Sequence, residues 1–462
     1  MTTPYWVQDA IFYQIFPDRF ANGDPSLNPP NVQKWGVQPT AWGFQGGDLR
    51  GILQHFDYLL DLGVTALYLN PIFQAPSTHR SNTTDYFRID PKLGTLDDFH
   101  ALVDSVHRND MRLILDGVFN HCGRGFFAFA DVLENGDHSP YQDWFHIKKF
   151  PLDAYTPGEA QNYLGWWNHK SLPKLNMSNP AVRNYIFNVA RYWIEQGADG
   201  WRLDVPNEID DDGFWEEFRH VVKSAKRDAY LLGEIWDVNP RWANETHFDG
   251  LMNYPLREAI LAMLNGHENA AVFADQVEGL LKSYPHENLY AMFVPLGSHD
   301  TERIKTMVEG SLEKTKLAFL IQMAYPGAPA IYYGDEIGLE GGKDPENRRA
   351  FPWKESAWDL ELRTWVKTLV ATRKRIPALR RGDFQRLVAE DGLYAFVRKL
   401  GEEKVLIAIN ASSRSHSVNV ACASVGWEDG RELRNLLTHE KTTVSKGQIK
   451  LSLEPWSGVW IG

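Results

Sequence analysis

The apolar positions of this chain recur as short runs, each followed by polar residues and then by a helical pattern. The runs lie between about residues 10 and 340 and are rich in β-branched and aromatic residues, as in "VTALYLNP" and "MRLILDGVFNH". Between several of them lie amphipathic stretches at 49–62, 96–109, 179–196, 212–227 and 311–324. Strands that alternate with helices predict a parallel sheet. About eight such runs, of which "FDGLMNY" is the weakest, predict a closed (β/α)8 TIM barrel of the α/β class.

Helix start and stop signals agree with this pattern. Thr95 and Asp98 resemble a capping box, and Pro180 suits the first turn of a helix. Gly63 and Gly197 suit helix C-termini. The alternative, a doubly wound open sheet, needs a glycine-rich phosphate-binding turn after its first strand, and the sequence has no such turn there.

Two segments depart from the alternation. Residues 122–175 follow the third strand and are too long for an ordinary connection, so they predict an inserted subdomain that forms one wall of a cleft. From residue 378 onward, short alternating strands predict a C-terminal antiparallel β-sandwich. The predicted domains are the barrel at 1–121 and 176–377, the inserted subdomain at 122–175 and the sandwich at 378–462.

Polar residues at the strand ends indicate chemistry. In "GWRLD", Arg202 and Asp204 share one face of an apolar strand, where burial is costly unless they are paired or functional. The C-terminal strand ends of such a barrel line its active site, and here they carry Asp116, Asn120, His121, Glu234, His299 and Asp300. A single carboxylate at a strand end is commonly a helix cap. Three of them beside an arginine and two histidines indicate a reactive site, because like charges held together separate their pKa values.

This set of residues fits glycoside hydrolysis. Two carboxylates about 5–5.5 Å apart perform the retaining reaction, one as nucleophile and one as acid and then base. Asp204 is the candidate nucleophile, because Arg202 would hold its pKa down. Glu234 precedes two apolar residues, and partial desolvation would raise its pKa as an acid requires. Asp300 would bind sugar hydroxyls, and the neutral donors to the same sugar would be His121 and His299.

Composition narrows the function classes further. The net charge is −12 and no basic block occurs, which argues against nucleic acid or membrane partners. The N-terminus lacks the pattern of a signal peptide, and no apolar run approaches the ~20 residues that span a bilayer. Cys122 and Cys422 are far apart without metal-ligand spacing, which predicts free thiols and a cytoplasmic protein. No HExxH pair occurs, and an arginine within the carboxylate cluster argues against metal catalysis.

Four motifs carry a family resemblance. "DGVFNH", "GWRLDVPNE", "GEIW" and "GSHDTER" resemble, in order, the signature regions of the α-amylase family of glycoside hydrolases. "LPKLN" at 172–176 and "GDEIGLEGGKDPENRRAFPW" at 334–353 are similar to the neopullulanase and cyclomaltodextrinase branch. The resemblance covers almost the whole chain. It implies hydrolysis of α-1,4 or α-1,6 bonds in maltooligosaccharides, pullulan, cyclodextrins or branched glucans, without an organic cofactor.

The resemblance also assigns roles to residues. It implies Asp204 as nucleophile, Glu234 as acid/base and Asp300 as transition-state stabiliser. Its substrate-binding residues would be His121, Arg202, His299, Trp236, Asp344 and Arg348. A 4-α-glucanotransferase uses the same covalent intermediate, and the motifs do not separate transfer from hydrolysis. A non-catalytic glucan-binding protein would have lost one of the three carboxylates, whereas all three are present.

The chain departs from this branch in three places. Where the branch has a tyrosine in a stretch like "HKYDTADY", this chain reads "HRSNTTDY" and has Ser81 and Asn82. That tyrosine stacks on the reacting sugar, so we expect a more open site whose sugar platform is absent or supplied elsewhere. The chain also begins almost directly at the barrel, without the N-terminal domain that pairs subunits in the branch, which leaves a homodimer open. A calcium loop is partly kept, with oxygen donors at Asn22, Asp24, Asn28, Gly46 and Asp48; a turn-rich loop without calcium is the alternative.

Overall fold

Eight parallel strands form a barrel at the centre of the computed structural model, which describes residues 3–462. In chain order they are β1 Phe12–Ile15, β2 Ala66–Leu69, β3 Arg112–Gly117, β4 Gly200–Leu203, β5 Tyr230–Gly233, β6 Gly250–Leu251, β7 Phe293–Pro295 and β8 Ala328–Tyr332. The strands hydrogen-bond in the order β6-β5-β4-β3-β2-β1-β8-β7. A parallel bridge between Met252 and Phe293 joins the two remaining edges. The predicted barrel is confirmed, and residues 1 and 2 of its predicted range lie outside the described residues.

Four of the predicted amphipathic stretches form the helices Leu96–Arg108, Pro180–Glu195, Asp212–Ala225 and Leu312–Ala324. The longer helices Tyr254–Leu264, Ala270–Leu281 and Leu360–Arg375 lie outside the predicted stretches. Thr95 and Asp98 form the predicted capping box, and Pro180 occupies the first turn of its helix. The stretch at 49–62 instead divides into Leu49–Gln54 and Phe56–Leu62. His55 leaves the helix at this point, and its ring stacks on Trp353 at 3.5 Å between centroids.

The barrel interior is apolar where the strands begin and polar where they end. Phe12, Tyr68, Ile114, Tyr230 and Phe293 are fully buried and belong to one apolar cluster inside the barrel. The rings of Phe12 and Phe293 lie 5.3 Å apart between centroids. Inward-pointing side chains fill a barrel of this size. Space for a ligand is therefore left only at the end where the strands terminate.

The inserted segment after β3 is fastened to the barrel by its two ends. It contains the helix Phe127–Asn135, and most of its remaining backbone is irregular. Antiparallel bridges join His121 to Lys174 and Phe145 to Leu175, so the segment returns close to the point where it leaves. None of the helices in residues 3–462 combines the length and apolarity that crossing a bilayer requires.

The C-terminal part of the chain is antiparallel. Its strands are β9 Asp383–Glu390, β10 Leu393–Leu400, β11 Glu403–Asn410, β12 His416–Ala421, β13 Glu432–Arg434, β14 Lys441–Thr443, β15 Gln448–Leu453 and β16 Ser457–Ile461. One sheet has the order β9-β10-β11-β16, and β12-β15 and β13-β14 form two further pairs. Strand β9 was not predicted, because none of its residues is fully buried and its apolar alternation is weak.

Two buried arginines bind carbonyls at the end of the helix Leu312–Ala324, and one of them, Arg398, lies on the C-terminal sheet. Arg373 donates to the carbonyl of Met323 at 2.7 Å, and Arg398 of β10 donates to the carbonyl of Ala324 at 2.6 Å. These carbonyls end the helix Leu312–Ala324, where backbone oxygens lack helical partners and carry partial negative charge. The guanidinium groups replace the missing donors, and no part of either side chain reaches solvent.

Replacing Arg398 by methionine should lower the free energy of unfolding by about 3 kcal/mol, because several buried carbonyls then lose their donor. Urea unfolding followed by circular dichroism measures this change. Lys399→Met is the matched control, since the neighbouring side chain is exposed and its loss should cost less than about 0.5 kcal/mol. Equal effects of the two substitutions would contradict the assigned role of Arg398.

Candidate active site

The guanidinium of Arg202 lies among the carboxylates at the strand ends and contacts several of them. The register of β3 and β4 places Arg202 directly beside Asp116. Arg202 Nη1 lies 2.9 Å from Asp116 Oδ1 and 2.9 Å from Asp204 Oδ1. Its Nη2 lies 3.0 Å from Glu234 Oε1 and 4.0 Å from Asp300 Oδ2. The structure therefore brings the three predicted catalytic carboxylates together around one buried cation.

Glu234 is the carboxyl group that is best placed to hold a proton. Its side chain is buried, and its Oε2 accepts a 2.9 Å hydrogen bond from the N–H of Val205. Val205 has a left-handed backbone (φ 35°), an uncommon conformation for a β-branched residue. Burial raises the pKa of Glu234 to about 8, against the attraction of Arg202. Glu234 is thus mainly protonated at neutral pH, as a general acid requires.

The pKa of Asp204 differs from the sequence-based expectation. Burial raises it from its ordinary value, although Arg202 and a hydrogen bond with Glu234 act to lower it. The expected lowering by Arg202 is thus present, but burial outweighs it, so the pKa of Asp204 is raised overall. Burial raises the pKa of Glu234 to about 8, so Glu234 is a carboxyl that holds a proton at neutral pH.

Asp300 lies in a separate group of basic side chains. His299 Nε2 is 3.1 Å from Asp300 Oδ2, and Arg348 Nη2 is 3.4 Å from Asp300 Oδ1. Arg348 also pairs with Asp344 at 3.3 Å, so these two predicted binding residues lie beside the third carboxylate. Burial acts to raise the pKa of Asp300, but its basic neighbours outweigh burial and lower it. Asp300 is therefore ionised at neutral pH.

Both predicted histidines are neutral at pH 7. Burial lowers the pKa of His299 to about 3, and burial likewise lowers the pKa of His121 to about 3. Gln14 Nε2 lies 3.0 Å from His299 Nδ1, which assigns the proton of His299 to Nε2 beside Asp300. Asn120 Nδ2 lies 3.2 Å from His121 Nδ1, and the buried Nε2 of His121 has no hydrogen-bond partner within the described chain. His121 thus keeps a free donor at the strand end.

Trp236 is held rigidly beside Glu234. Its indole N–H donates to Glu234 Oε1 at 3.2 Å, and its ring stacks on Tyr254 at 3.8 Å with an interplanar angle of 2°. The indole remains 43% exposed. One face of the ring is packed while part of the side chain stays open to solvent, which suits contact with a sugar next to the acid.

Sequence reasoning missed several supporting residues. Tyr68 donates to Asp116 Oδ2 at 2.6 Å, and Asn70 accepts a hydrogen bond from Gln14 at 3.0 Å. Gln14 in "FYQIF" and Tyr68 with Asn70 in "LYLN" are polar positions on one strand face, which is the same signal that identified Arg202. His79 lies near Asp300 and Arg348, and burial lowers its pKa to about 4. It lies in a loop, where no periodic pattern could have indicated it.

Ser81 lies beside this group of residues, where the related branch has a tyrosine. Its N–H donates to His79 Nδ1 at 3.1 Å, and Asn82 accepts a 2.5 Å hydrogen bond from Ser77. The loop therefore reaches the site but contributes no ring at this position. Ser81 has only a hydroxymethyl side chain, so residue 81 provides no aromatic platform for a sugar, as expected.

The residues of the expected calcium loop are bonded to one another and to the adjacent backbone. Asp48 accepts from the N–H groups of Gly23, Asp24 and Gly51 at 3.0, 2.8 and 2.7 Å. Asp24 is paired with Arg50, and Asn28 accepts from Asn22. Asn22 Oδ1 has no partner, but nowhere in residues 3–462 do three His, Cys, Asp or Glu side chains group as metal ligands. The carboxylates of Asp24 and Asp48 are engaged by these contacts, and a calcium ion at this loop stays a prediction.

Comparison with known proteins agrees with this geometry. Residues 14–368 match the family described as "Alpha amylase, catalytic domain", and residues 382–458 match "Alpha-amylase C-terminal domain". The chain belongs to the α-amylase family. It is a glycoside hydrolase of that family, and the resemblance carried by its four motifs is confirmed.

The relatives lie in the expected branch of the family. A cyclomaltodextrinase from Geobacillus thermopakistaniensis (strain MAS1) is 45% identical over 461 residues, covering 99% of this chain and 77% of the relative. Neopullulanase 2 from Thermoactinomyces vulgaris is 42% identical, with 100% and 79% covered. The structure of a cyclic α-maltosyl-(1→6)-maltose hydrolase from Arthrobacter globiformis, in complex with that sugar, is 40% identical with a TM-score of 0.92 and covers both chains fully.

Because the pKa of Glu234 is raised to about 8, the acid form is present below that pH and is lost as pH rises through it. We expect kcat/KM for a maltooligosaccharide to fall above about pH 8. Glu234→Gln should abolish this basic limb and lower the rate by about 10²–10⁴-fold, with a smaller loss on an aryl maltoside whose leaving group needs no proton. A basic limb that persists in Glu234→Gln would assign it to another group.

Proposed function

We propose that this chain hydrolyses α-1,4 or α-1,6 glucosidic bonds with retention of configuration, through a covalent glycosyl-enzyme intermediate. The observation that carries the proposal is that Asp204 and Glu234 both pair with the guanidinium of Arg202, at 2.9 and 3.0 Å. An inverting enzyme needs its two carboxyl groups about 6.5–9.5 Å apart to admit a water molecule between the basic carboxylate and the anomeric carbon. Carboxyl groups that pair with the two terminal nitrogens of one guanidinium lie close together, which favours the shorter separation of a retaining enzyme.

The proposed reaction follows from the charges of the site. Asp204 attacks the anomeric carbon while Glu234 gives its proton to the glycosidic oxygen, so that one C–O bond forms and another breaks. Glu234, now ionised, then takes a proton from water, and the resulting hydroxide displaces Asp204. Asp300 would bind sugar hydroxyls in the strained ring, where its interaction strengthens as the transition state forms.

The substrates that we propose are maltooligosaccharides, pullulan, cyclodextrins and branched α-glucans. The proposal is supported by likeness to proteins named cyclomaltodextrinase and neopullulanase, and to a hydrolase of a cyclic sugar with α-(1→6) linkages. The small side chain of Ser81 supports tolerance of branches near the reacting sugar. We also propose a cytoplasmic location, which fits two buried free cysteines.

The stereochemistry of the first product tests the mechanism. Proton NMR of maltoheptaose hydrolysis should show the α-anomer first, and Asp204→Asn should lower kcat/KM by roughly 10⁴-fold or more. Panose released from pullulan would indicate α-1,4 cleavage and maltotriose α-1,6 cleavage, whereas oligomers longer than the substrate would indicate glucan transfer. Initial release of the β-anomer, or activity that survives Asp204→Asn, would refute the retaining mechanism.

Ser81→Tyr should narrow the substrate range, because a ring at this position would fill the space that a branch occupies. We expect the ratio of kcat/KM on a branched glucan to that on a linear one to fall by about tenfold. Ser81→Ala is the matched control, since it removes the hydroxyl without adding volume and should leave the ratio unchanged. An unaltered ratio in Ser81→Tyr would show that residue 81 does not control the cleft.

A further inference from the structure

We propose that Trp167, in the inserted segment, is a stacking platform for a glucose unit that lies away from the scissile bond. This inference rests on the proposed hydrolysis of α-glucans and specifies its substrates further, as long or branched chains that extend past the reacting sugar.

The first support is a stack of three rings that starts at the catalytic end of the barrel. The ring of Trp166 lies parallel to that of His121, at 5.2 Å between centroids and 17° between planes. Trp167 continues the stack at 4.5 Å and 11° from Trp166. His121 lies four residues beyond the end of β3 and near His79 of the site, so the stack leads outward from the site. Trp167 is two ring spacings from His121, which places its outer face beside a more remote sugar.

The second support is the exposure of Trp167. The side chain is 74% exposed, although an indole of this size normally buries most of its surface. Its inner face is covered by Trp166, and the opposite face is an open apolar plane. The C–H face of a glucose ring is flat and apolar as well, and covering the indole with it removes both surfaces from water.

The third support is the backbone, which holds Trp167 in an unfavourable conformation. Trp167 has φ 49° and ψ 33°, and Asn168 also has a positive φ of 60°. Such angles are uncommon for a bulky residue and persist where surrounding contacts enforce them. Trp166 N–H donates to Leu172 O at 2.9 Å and Ala160 N–H donates to Asn168 O at 2.8 Å, so the turn is fixed from both sides. Strain of this kind is characteristic of ligand-binding positions.

Polar groups along the stack are suited to form hydrogen bonds with the hydroxyls of a glucan chain. The buried indole N–H of Trp166 and the Nε2 of His121 both lack hydrogen-bond partners in the part of the chain that the structure describes. A glucan offers hydroxyl acceptors on either side of its apolar ring face. Rings for stacking together with free N–H donors favour a sugar over an apolar protein surface as the occupant.

A contact remote from the reacting bond stabilises the bound substrate and the transition state equally, so its loss raises KM and leaves kcat unchanged. Trp167→Ala should therefore raise KM for maltoheptaose or a branched glucan by about fivefold. The KM for maltotriose, which is too short to reach the ring, should stay the same. Tyr5→Ala is the matched control, because Tyr5 is also exposed (63%) but precedes β1 at the opposite end of the barrel.

Two further variants separate binding from folding. Trp167→Asn should lose the same affinity with an unchanged or higher melting temperature, since asparagine tolerates the left-handed backbone. Trp167→Phe should restore most of the affinity. An unchanged KM for maltoheptaose in both Trp167→Ala and Trp167→Asn would overturn the inference.

Calorimetry separates this inference from the proposed function. Maltoheptaose is titrated into the full-length chain carrying Asp204→Asn, with and without Trp167→Ala, so that binding is measured without turnover. A fivefold weaker affinity with Trp167→Ala supports the platform even if the wild-type chain proves not to hydrolyse this sugar. Equal affinities overturn the platform and leave the proposed hydrolysis standing.

Discussion

The active site depends on a charge imbalance around one buried side chain. Arg202 supplies a single positive charge to the carboxyl groups of Asp116, Asp204, Glu234 and, at longer distance, Asp300. One cation cannot neutralise this many closely spaced carboxylates, so the cluster retains a proton. Burial raises the pKa of Glu234 to about 8, and burial raises the pKa of Asp116 to about 6. The raised pKa that makes Glu234 an acid at neutral pH therefore depends on all the carboxyl groups that are packed around Arg202.

The barrel makes this arrangement possible by aligning polar positions on neighbouring strands. The register pairs Gln14 with Tyr68, and Asp116 with Arg202. Hydrogen bonds then connect Gln14 to His299 and Tyr68 to Asp116, so the groups around the sugar are oriented by a continuous layer of inward-facing side chains. Because these residues lie on rigid strands, the carboxylates keep their geometry before a substrate arrives.

The sequence predicted two kinds of feature: elements with a periodic pattern of apolar residues, and charged residues whose burial costs free energy unless they are paired. Alternating runs predicted the barrel, and Arg202 inside an apolar strand indicated the site because its burial demanded partners. The environment of Asp204 was not predictable, because it depends on how many carboxylates share one guanidinium. His79 and the Trp166–Trp167 stack escaped prediction for another reason: they lie on irregular backbone, where only three-dimensional packing brings side chains together.

The contacts of Arg373 and Arg398 indicate which parts of the chain the catalytic barrel needs as support. Arg398 lies on a strand that follows the last barrel helix, yet it provides donors to the end of a helix that supports β8. A chain shortened to the barrel alone would keep the hydrogen bond from Arg373 to Met323 but would lose the donor that Arg398 supplies to Ala324. The C-terminal sheet is therefore part of the scaffold of the enzyme. If this sheet were exchanged between related proteins, the helix and the arginines that donate to it would have to be exchanged together.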